Sequence, residues 1–259
     1  MQRHLVYLIG LAIWAPVAHA IPFLQLDINN GVYVGGSEES VMTSSNIFEL
    51  YALADSTNGK FNGNDVFHIS AALTPKTAQP GGDFGTFSVS YSAWDEVAGQ
   101  TVVVTDQVVA VTADMTFGIP PLEANWDHDG GDLGAHDIFN TYYYEMTFRF
   151  SGANTASPYN VENAGGGGLD PGSSGSLLYE TFAFDLTNLD TSYDLHFDLY
   201  HDKVKRNDDV DIQYFAPFSK DAGTANRTVV SVPTPDSLLI SAIGLLLLGF
   251  GLVRQAAAK

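Results

Sequence analysis

Short runs in which apolar and polar residues alternate recur along residues 23–215. In residues 84–92, for example, Phe87, Val89 and Tyr91 fall on one face, because successive side chains of a strand point to opposite faces. Gly, Asn and Asp residues separate the runs, as expected of turns between strands. The pattern predicts an all-β fold, a jelly-roll-like β-sandwich of about nine or ten strands. The predicted strands are residues 23–28, 32–34, 47–53, 66–73, 84–92, 101–111, 142–150, 177–186, 193–200 and 210–215.

The C-terminal tail departs from this pattern. Residues 237–253 contain no charge and are dominated by Leu, Ile and Gly, which predicts one transmembrane helix. As a helix, this segment would span roughly 25 Å, close to the ~30 Å of a bilayer core. Arg254 and Lys259 follow it, so the positive-inside rule places the C-terminus in the cytoplasm and the preceding domain outside. A permanent anchor and a buried core helix are the alternative interpretations.

The start of the tail carries a second feature, the sequence Pro233-Thr234-Pro235. Together with the apolar span and Arg254, it resembles the PEP-CTERM sorting signal, which exosortase processes; Thr234 stands where Glu is usual. The resemblance implies that the membrane span is temporary. The chain would then be cut near residues 233–235 and released or transferred to the cell surface.

The N-terminus has the pattern of a signal peptide. Arg3 precedes an apolar run at residues 5–14, and Ala18-His19-Ala20 has the small-x-small form of a signal peptidase site. Cleavage after Ala20 is expected, because the apolar run is too short for a permanent anchor. The predicted organisation is a signal peptide (1–20), an exported β-sandwich domain (21–222), a linker (223–231) and a sorting signal (232–259).

The exported part is strongly acidic. Of the 11 Lys and Arg residues, 8 lie in residues 21–231, and of the 30 Asp and Glu residues, 29 do, so its net charge is about −21. This charge argues against a nucleic-acid partner, which requires positive charge. The chain has no Cys, so disulfides and thiolate metal sites are excluded.

An acidic loop at residues 125–137 is the first candidate site. Its carboxylates predict a calcium site, because calcium takes six to eight oxygen ligands from flexible loops; the spacing is not that of an EF-hand. A solvated acidic loop is the alternative, and zinc binding through His128 and His136 is a further one. No other cofactor is expected. The candidate ligands are Asp127, Asp129, Asp132 and Asp137.

A second candidate lies on the predicted strand 193–200. His196 and Asp198 share one face, opposite Leu195 and Phe197, and form either a metal or catalytic pair or an ordinary polar face. The cluster Asp208, Asp209 and Asp211 favours a charged hairpin turn.

The Gly-rich loop at residues 153–176 is either functional or flexible. Exposed aromatic residues in the long loops, such as Trp126 and Tyr159, are candidates for stacking on sugars.

Enzymatic motifs are scarce. The chain has no Gly-x-Ser-x-Gly elbow and no phosphate-binding loop. A carboxylate pair suited to glycoside hydrolysis remains an alternative, although the sequence does not single one out.

Scattered motifs of the exported part resemble the choice-of-anchor N proteins. They are GIPPL at 118–122, HDIFNTY at 136–142, LHFDLY at 195–200 and FAPFSKDA at 215–222. The resemblance implies a bacterial surface protein with an interchangeable C-terminal anchor and no established enzymatic activity, so it assigns no catalytic residue.

Together these features predict an exported bacterial surface or extracellular-matrix (biofilm) protein, structural or glycan-associated and not an enzyme. Its expected partners are signal peptidase, an exosortase-like enzyme, the membrane and extracellular polysaccharide. A glycan-active hydrolase and a permanently anchored single-pass membrane protein are the alternatives.

Overall fold

The computed structural model describes residues 21–35, 39–75, 77, 82–122, 139–204, 210–225 and 227. Within these ranges the chain forms fourteen strands, two one-turn α-helices and one 3₁₀ turn. The strands are β1 (Leu24–Ile28), β2 (Val32–Val34), β3 (Ser40–Thr43), β4 (Ile47–Asp55), β5 (Phe67–Thr74), β6 (Thr86–Asp95), β7 (Gln100–Ala110), β8 (Thr116–Gly118), β9 (Thr141–Phe148), β10 (Thr155–Ala156), β11 (Leu177–Asp185), β12 (Asp194–Val204), β13 (Val210–Phe215) and β14 (Ala222–Thr224). The helices are α1 (Val111–Asp114) and α2 (Val161–Ala164), and the 3₁₀ turn is Phe218–Lys220.

The strands form two sheets. The first has the order β1-β4-β11-β6-β7, with β10 added beside β11. The second has the order β2-β3-β14-β12-β5-β9-β8, with β13 added beside β12. Pairing is antiparallel except between β14 and β3, which run parallel. Most neighbours are distant in sequence, a feature that jelly rolls share and simple meanders lack.

An aromatic core joins the two sheets. Phe48 and Phe184 of the first sheet contact Phe197 of the second, with ring centroids 6.0 and 4.9 Å apart. Farther along, Phe182 meets Phe148 edge-on at 5.1 Å. Such buried aromatic pairs add to the stabilisation that burial of their area provides. The prediction of an all-β sandwich is confirmed.

All ten predicted strands are present, and β3, β8, β10 and β14 add to them. Asp106 is a charged residue within the predicted strand 101–111, but it does not end the strand. Its backbone has φ = 46°, and its amide donates to Ser90 Oγ at 2.8 Å where the β6–β7 register shifts. This β-bulge lets β7 continue to Ala110.

Strand β1 is buried on both faces. Leu24, Leu26 and Ile28 face the core, while Gln25 and Asp27 lie on the opposite face and are also fully buried. Gln25 binds the long loop through both amide atoms: its Nε2 donates to the carbonyl of Tyr159, and its Oε1 accepts from Val161 N, each at 3.0 Å.

The Asp27 carboxylate fixes the glycine-rich part of the same loop. Oδ1 accepts from Gly167 N at 2.6 Å, and Oδ2 accepts from Gly168 N at 3.1 Å and from the Tyr159 hydroxyl. A Cβ on Gly167 would lie 2.7 Å from Gly31 O, so the backbone approaches too closely for any side chain. The loop at residues 153–176 is therefore a packed structural element.

The domain continues past its predicted boundary at residue 222. That boundary falls at the first residue of β14, and Arg227 is 7% exposed. The Arg227 guanidinium donates to Asp194 Oδ1 and Leu186 O at 3.0 Å. Residues 223–225 and 227 of the predicted linker thus belong to the folded unit, which ends at Arg227.

The predicted signal peptide (1–20), the predicted membrane span (237–253) and the sorting motif with Arg254 lie outside the described residues. Among the residues that are described, no helix is long and apolar enough to span a bilayer.

Candidate functional site

The outer face of the second sheet carries a band of buried polar side chains. On β12, Leu195, Phe197 and Leu199 point into the core, so alternation places His196 and Asp198 on the outer face. In the antiparallel register Asp198 lies opposite Ser70 of β5. Outward positions of a sandwich are usually solvated, yet Asp198 is only 2% exposed and Ser70 is fully buried.

His196 and Asp198 meet a third residue, Asp221. His196 Nε2 lies 3.3 Å from Asp198 Oδ1 and 3.5 Å from Asp221 Oδ2. One ligand atom from each of the three residues lies within 4.8 Å of the other two. Asp221 is 1% exposed, while the His196 side chain is 15% exposed and forms the solvent-facing side of the cluster.

The C-terminal strand brings Asp221 to this position. Asp221 follows the 3₁₀ turn and precedes β14, which pairs with β12 at Gly223 opposite His196. The Asp221 carbonyl accepts from Val41 N at 3.1 Å, which ties the same residue to β3. The cluster therefore lies where three strands of the second sheet converge.

A second polar cluster lies farther along the same face. His68 Nε2 is 3.3 Å from Asp202 Oδ1, and His68 Nδ1 is 3.6 Å from Glu145 Oε1. Tyr200 stacks on the His68 ring and donates its hydroxyl to Glu145. Hydrogen bonding to His68 lowers the pKa of Asp202, and burial raises that of Tyr200. These groups form a network of close polar contacts on the outer face of the second sheet.

An open groove of about 550 Å³ runs beside β2 and β3. Val32, Val34, Met42 and Thr43 contribute to its lining, and none of the described residues that line it has a titratable side chain. These residues offer mainly apolar contact area.

The sequence-predicted sites have different outcomes. The calcium candidates at Asp127, Asp129, Asp132 and Asp137 lie outside the described residues, as do Trp126 and Asp209. The His196–Asp198 pair is brought together as alternation predicts. Asp221 was missed, because it lies 23 residues beyond Asp198 and has no periodic relation to it.

Tyr159 does not have the exposed position that sugar stacking requires. Its ring packs against the core, and its hydroxyl donates to Asp27. Burial raises the pKa of the Tyr159 hydroxyl.

Comparisons with known proteins identify no relative. No protein-family model matches the chain, and no curated protein matches it significantly. A solved structure, the collagen-binding subdomain ACE19 of the Enterococcus faecalis surface protein ACE, aligns over 80% of this chain and 99% of its own. Its sequence identity is 8% and its TM-score is 0.25, and this degree of similarity supports no inference about function. The chain is thus defined by its class, a Cys-free acidic β-sandwich with a buried His–Asp–Asp cluster.

Proposed function

We propose that this chain is an exported bacterial surface or extracellular-matrix protein whose β-sandwich serves as a non-enzymatic structural or glycan-associated module. The observation that carries the proposal is the position of the fold between the two predicted processing sites. Strand β1 begins at Leu24, four residues after the expected cleavage at Ala20. At the other end the buried Arg227 precedes Pro233 by six residues. Both cuts would leave every described strand intact.

The construction of the domain supports a structural role outside the cell. Gln25 and Asp27 tie down its long glycine-rich loop, and an aromatic core joins its sheets. The fold requires no disulfide, and the high negative charge of residues 21–231 favours solubility and limits self-association. In this proposal an exosortase-type enzyme removes the apolar tail, and the domain remains at the surface or in the extracellular polysaccharide.

The intact mass of the protein from the surface fraction of its native producer tests the processing. A polypeptide that begins at Ile21 and ends near residues 233–235 is expected, and any excess mass identifies an attached lipid or sugar. A mass that extends to Lys259 would overturn the sorting step and leave a single-pass membrane protein with an external sandwich.

Incubation with polysaccharide extracted from the same producer tests the role of the domain. Co-sedimentation of the protein with the polysaccharide, without release of new reducing ends, is the expected result for a glycan-associated module. Release of reducing ends at a rate that depends on protein concentration would overturn the non-enzymatic assignment and favour a hydrolase.

A further inference from the structure

The His196–Asp198–Asp221 cluster has the geometry of a metal site. We propose that these three side chains bind one divalent transition-metal cation of the Zn²⁺ type, which fastens the C-terminal strand to the second sheet. The ligands are His196 Nε2, Asp198 Oδ1 and Asp221 Oδ2.

The two distances from His196 to the carboxylates agree with tetrahedral coordination. Zinc binds imidazole nitrogen and carboxylate oxygen at about 2.0–2.2 Å, so two ligand atoms of a tetrahedral site lie about 3.4 Å apart. The two nitrogen–oxygen separations from His196 are 3.3 and 3.5 Å. Both edges that start at His196 therefore have the required length.

Electrostatics favours a cation at this position. The Asp198 and Asp221 carboxylates are almost completely buried and lie within 4.8 Å of each other. Burying two like charges together is costly unless an opposite charge compensates them.

A second, independent observation comes from Ser70. Its Oγ is fully buried and has no hydrogen-bond partner among the described residues, and the same holds for Asp198 Oδ2. Buried polar atoms are normally satisfied, so such a pair on one face requires an explanation. Ser70 lies directly opposite Asp198, where a water on the bound cation would act as its partner and complete the coordination.

The donor set selects the class of cation. Imidazole suits zinc and other transition metals, whereas calcium and magnesium prefer oxygen ligands alone. The site is therefore distinct in chemistry from the predicted calcium loop at residues 125–137. The cation would link β12 to the residue that leads into β14, and through the Asp221 carbonyl it would also hold the position of β3.

Zinc binding by the full chain in mild detergent tests the proposal. After dialysis against a chelator and then against Zn²⁺, metal content is measured by mass spectrometry on the wild type, His196→Gln, Asp198→Asn and the matched control Asp202→Asn. Asp202 lies on the same strand beside a histidine but outside the cluster. We expect both cluster variants to bind one equivalent less than the wild type, and Asp202→Asn to bind as much as the wild type.

Thermal unfolding provides a second readout. At zinc concentrations about 100-fold above Kd, the midpoint of the wild type should rise by about 5–10 °C, and the cluster variants should show no rise. No zinc binding by the wild type, full binding by Asp198→Asn, or loss of binding in Asp202→Asn would each overturn the assignment.

If a cluster variant fails to fold, the visible absorption spectrum of the wild type with added Co²⁺ tests the site instead. Four-coordinate Co²⁺ in a nitrogen–oxygen site has intense visible bands that the octahedral aqueous ion lacks. Their appearance at one equivalent supports the site, and their absence overturns it.

Discussion

Replacing Asp27 by Asn tests whether one carboxylate holds the glycine-rich loop in place. The two side chains have nearly the same shape, so the change removes charge and acceptor capacity and leaves packing intact. Each Asp27 oxygen accepts two hydrogen bonds: Oδ1 from Ile28 N and Gly167 N, and Oδ2 from Gly168 N and the Tyr159 hydroxyl. An Asn side chain has one oxygen, so two of the four donors would face its NH₂ group instead.

The expected loss of stability follows from those two bonds. A hydrogen bond to a charged group contributes about 1.5–3 kcal/mol. Gly167 and Gly168 are exposed as residues, so water can reach their amides once the loop loosens, and the lower half of that range applies. We expect a loss of about 3 kcal/mol, which lowers the unfolding midpoint of a domain of this size by about 6–12 °C.

Thermal unfolding followed by near-ultraviolet circular dichroism measures the midpoint. Asp185→Asn is the matched control, because Asp185 uses a single oxygen, Oδ1, to accept from both Thr187 N and the Thr187 hydroxyl. An Asn oxygen can accept both bonds, so this variant should shift the midpoint by less than about 3 °C.

Limited proteolysis gives a local readout. A protease specific for glutamate should cleave after Glu162 faster in Asp27→Asn than in the wild type, because the glycine-rich loop is no longer held against β1. A midpoint within 2–3 °C of the wild type together with an unchanged cleavage rate would refute the anchoring role of Asp27.

Three further predictions concern other positions. In urea unfolding, Gly167→Ala should destabilise the protein by at least about 2 kcal/mol more than Gly172→Ala. Both residues have positive φ, but only at Gly167 would a Cβ clash with backbone atoms. Equal losses of stability in the two variants would contradict this prediction. Arg227→Lys should lower the free energy of unfolding by about 2–4 kcal/mol in the same assay, because an ammonium group cannot reproduce the guanidinium hydrogen bonds to several separate acceptors. An unchanged unfolding midpoint would show that Arg227 does not hold the C-terminal segment in place. Burial raises the pKa of Glu180 above its usual value of about 4.5, so the folded protein holds this proton more tightly than the unfolded chain does. The free energy of unfolding of the wild type, relative to that of Glu180→Gln, should therefore fall as pH rises from about 4.5 through the raised pKa. Urea unfolding between pH 4 and 8 measures both free energies, and a rise of the wild type relative to the variant would refute the prediction.

Side-chain alternation was sufficient to predict nine of the ten strands, because each of the nine has at least five residues and can display a period of two. Strand β2 has only three residues, and the turn residues before it made it predictable. The four that were missed have two to four residues each. Strand β14, with the sequence Ala-Gly-Thr, has no apolar alternation at all. Its place in the sheet depends on parallel pairing with β3, about 180 residues earlier, and no local pattern encodes such a partner.

The candidate site was likewise predictable only where its residues lie on one strand. Alternation placed His196 and Asp198 on one face, since they are two residues apart on one strand. Asp221 and Ser70 join them only through tertiary pairing. The polar residues of β1 illustrate the same limit: Gln25 and Asp27 have the spacing of a solvated face, and only the loop that covers them explains their complete burial.

The hydrogen bonds of Arg227 also affect when the domain can finish folding. A chain that leaves the ribosome or crosses a membrane N-terminus first exposes β1 early, but the bonds of Asp27 require Gly167, and those of Asp194 require Arg227. Contacts between such distant segments slow folding and leave intermediates exposed. The domain therefore cannot complete its fold until nearly its last residue has emerged, and a chaperone that holds unfolded chains would act mainly before that point.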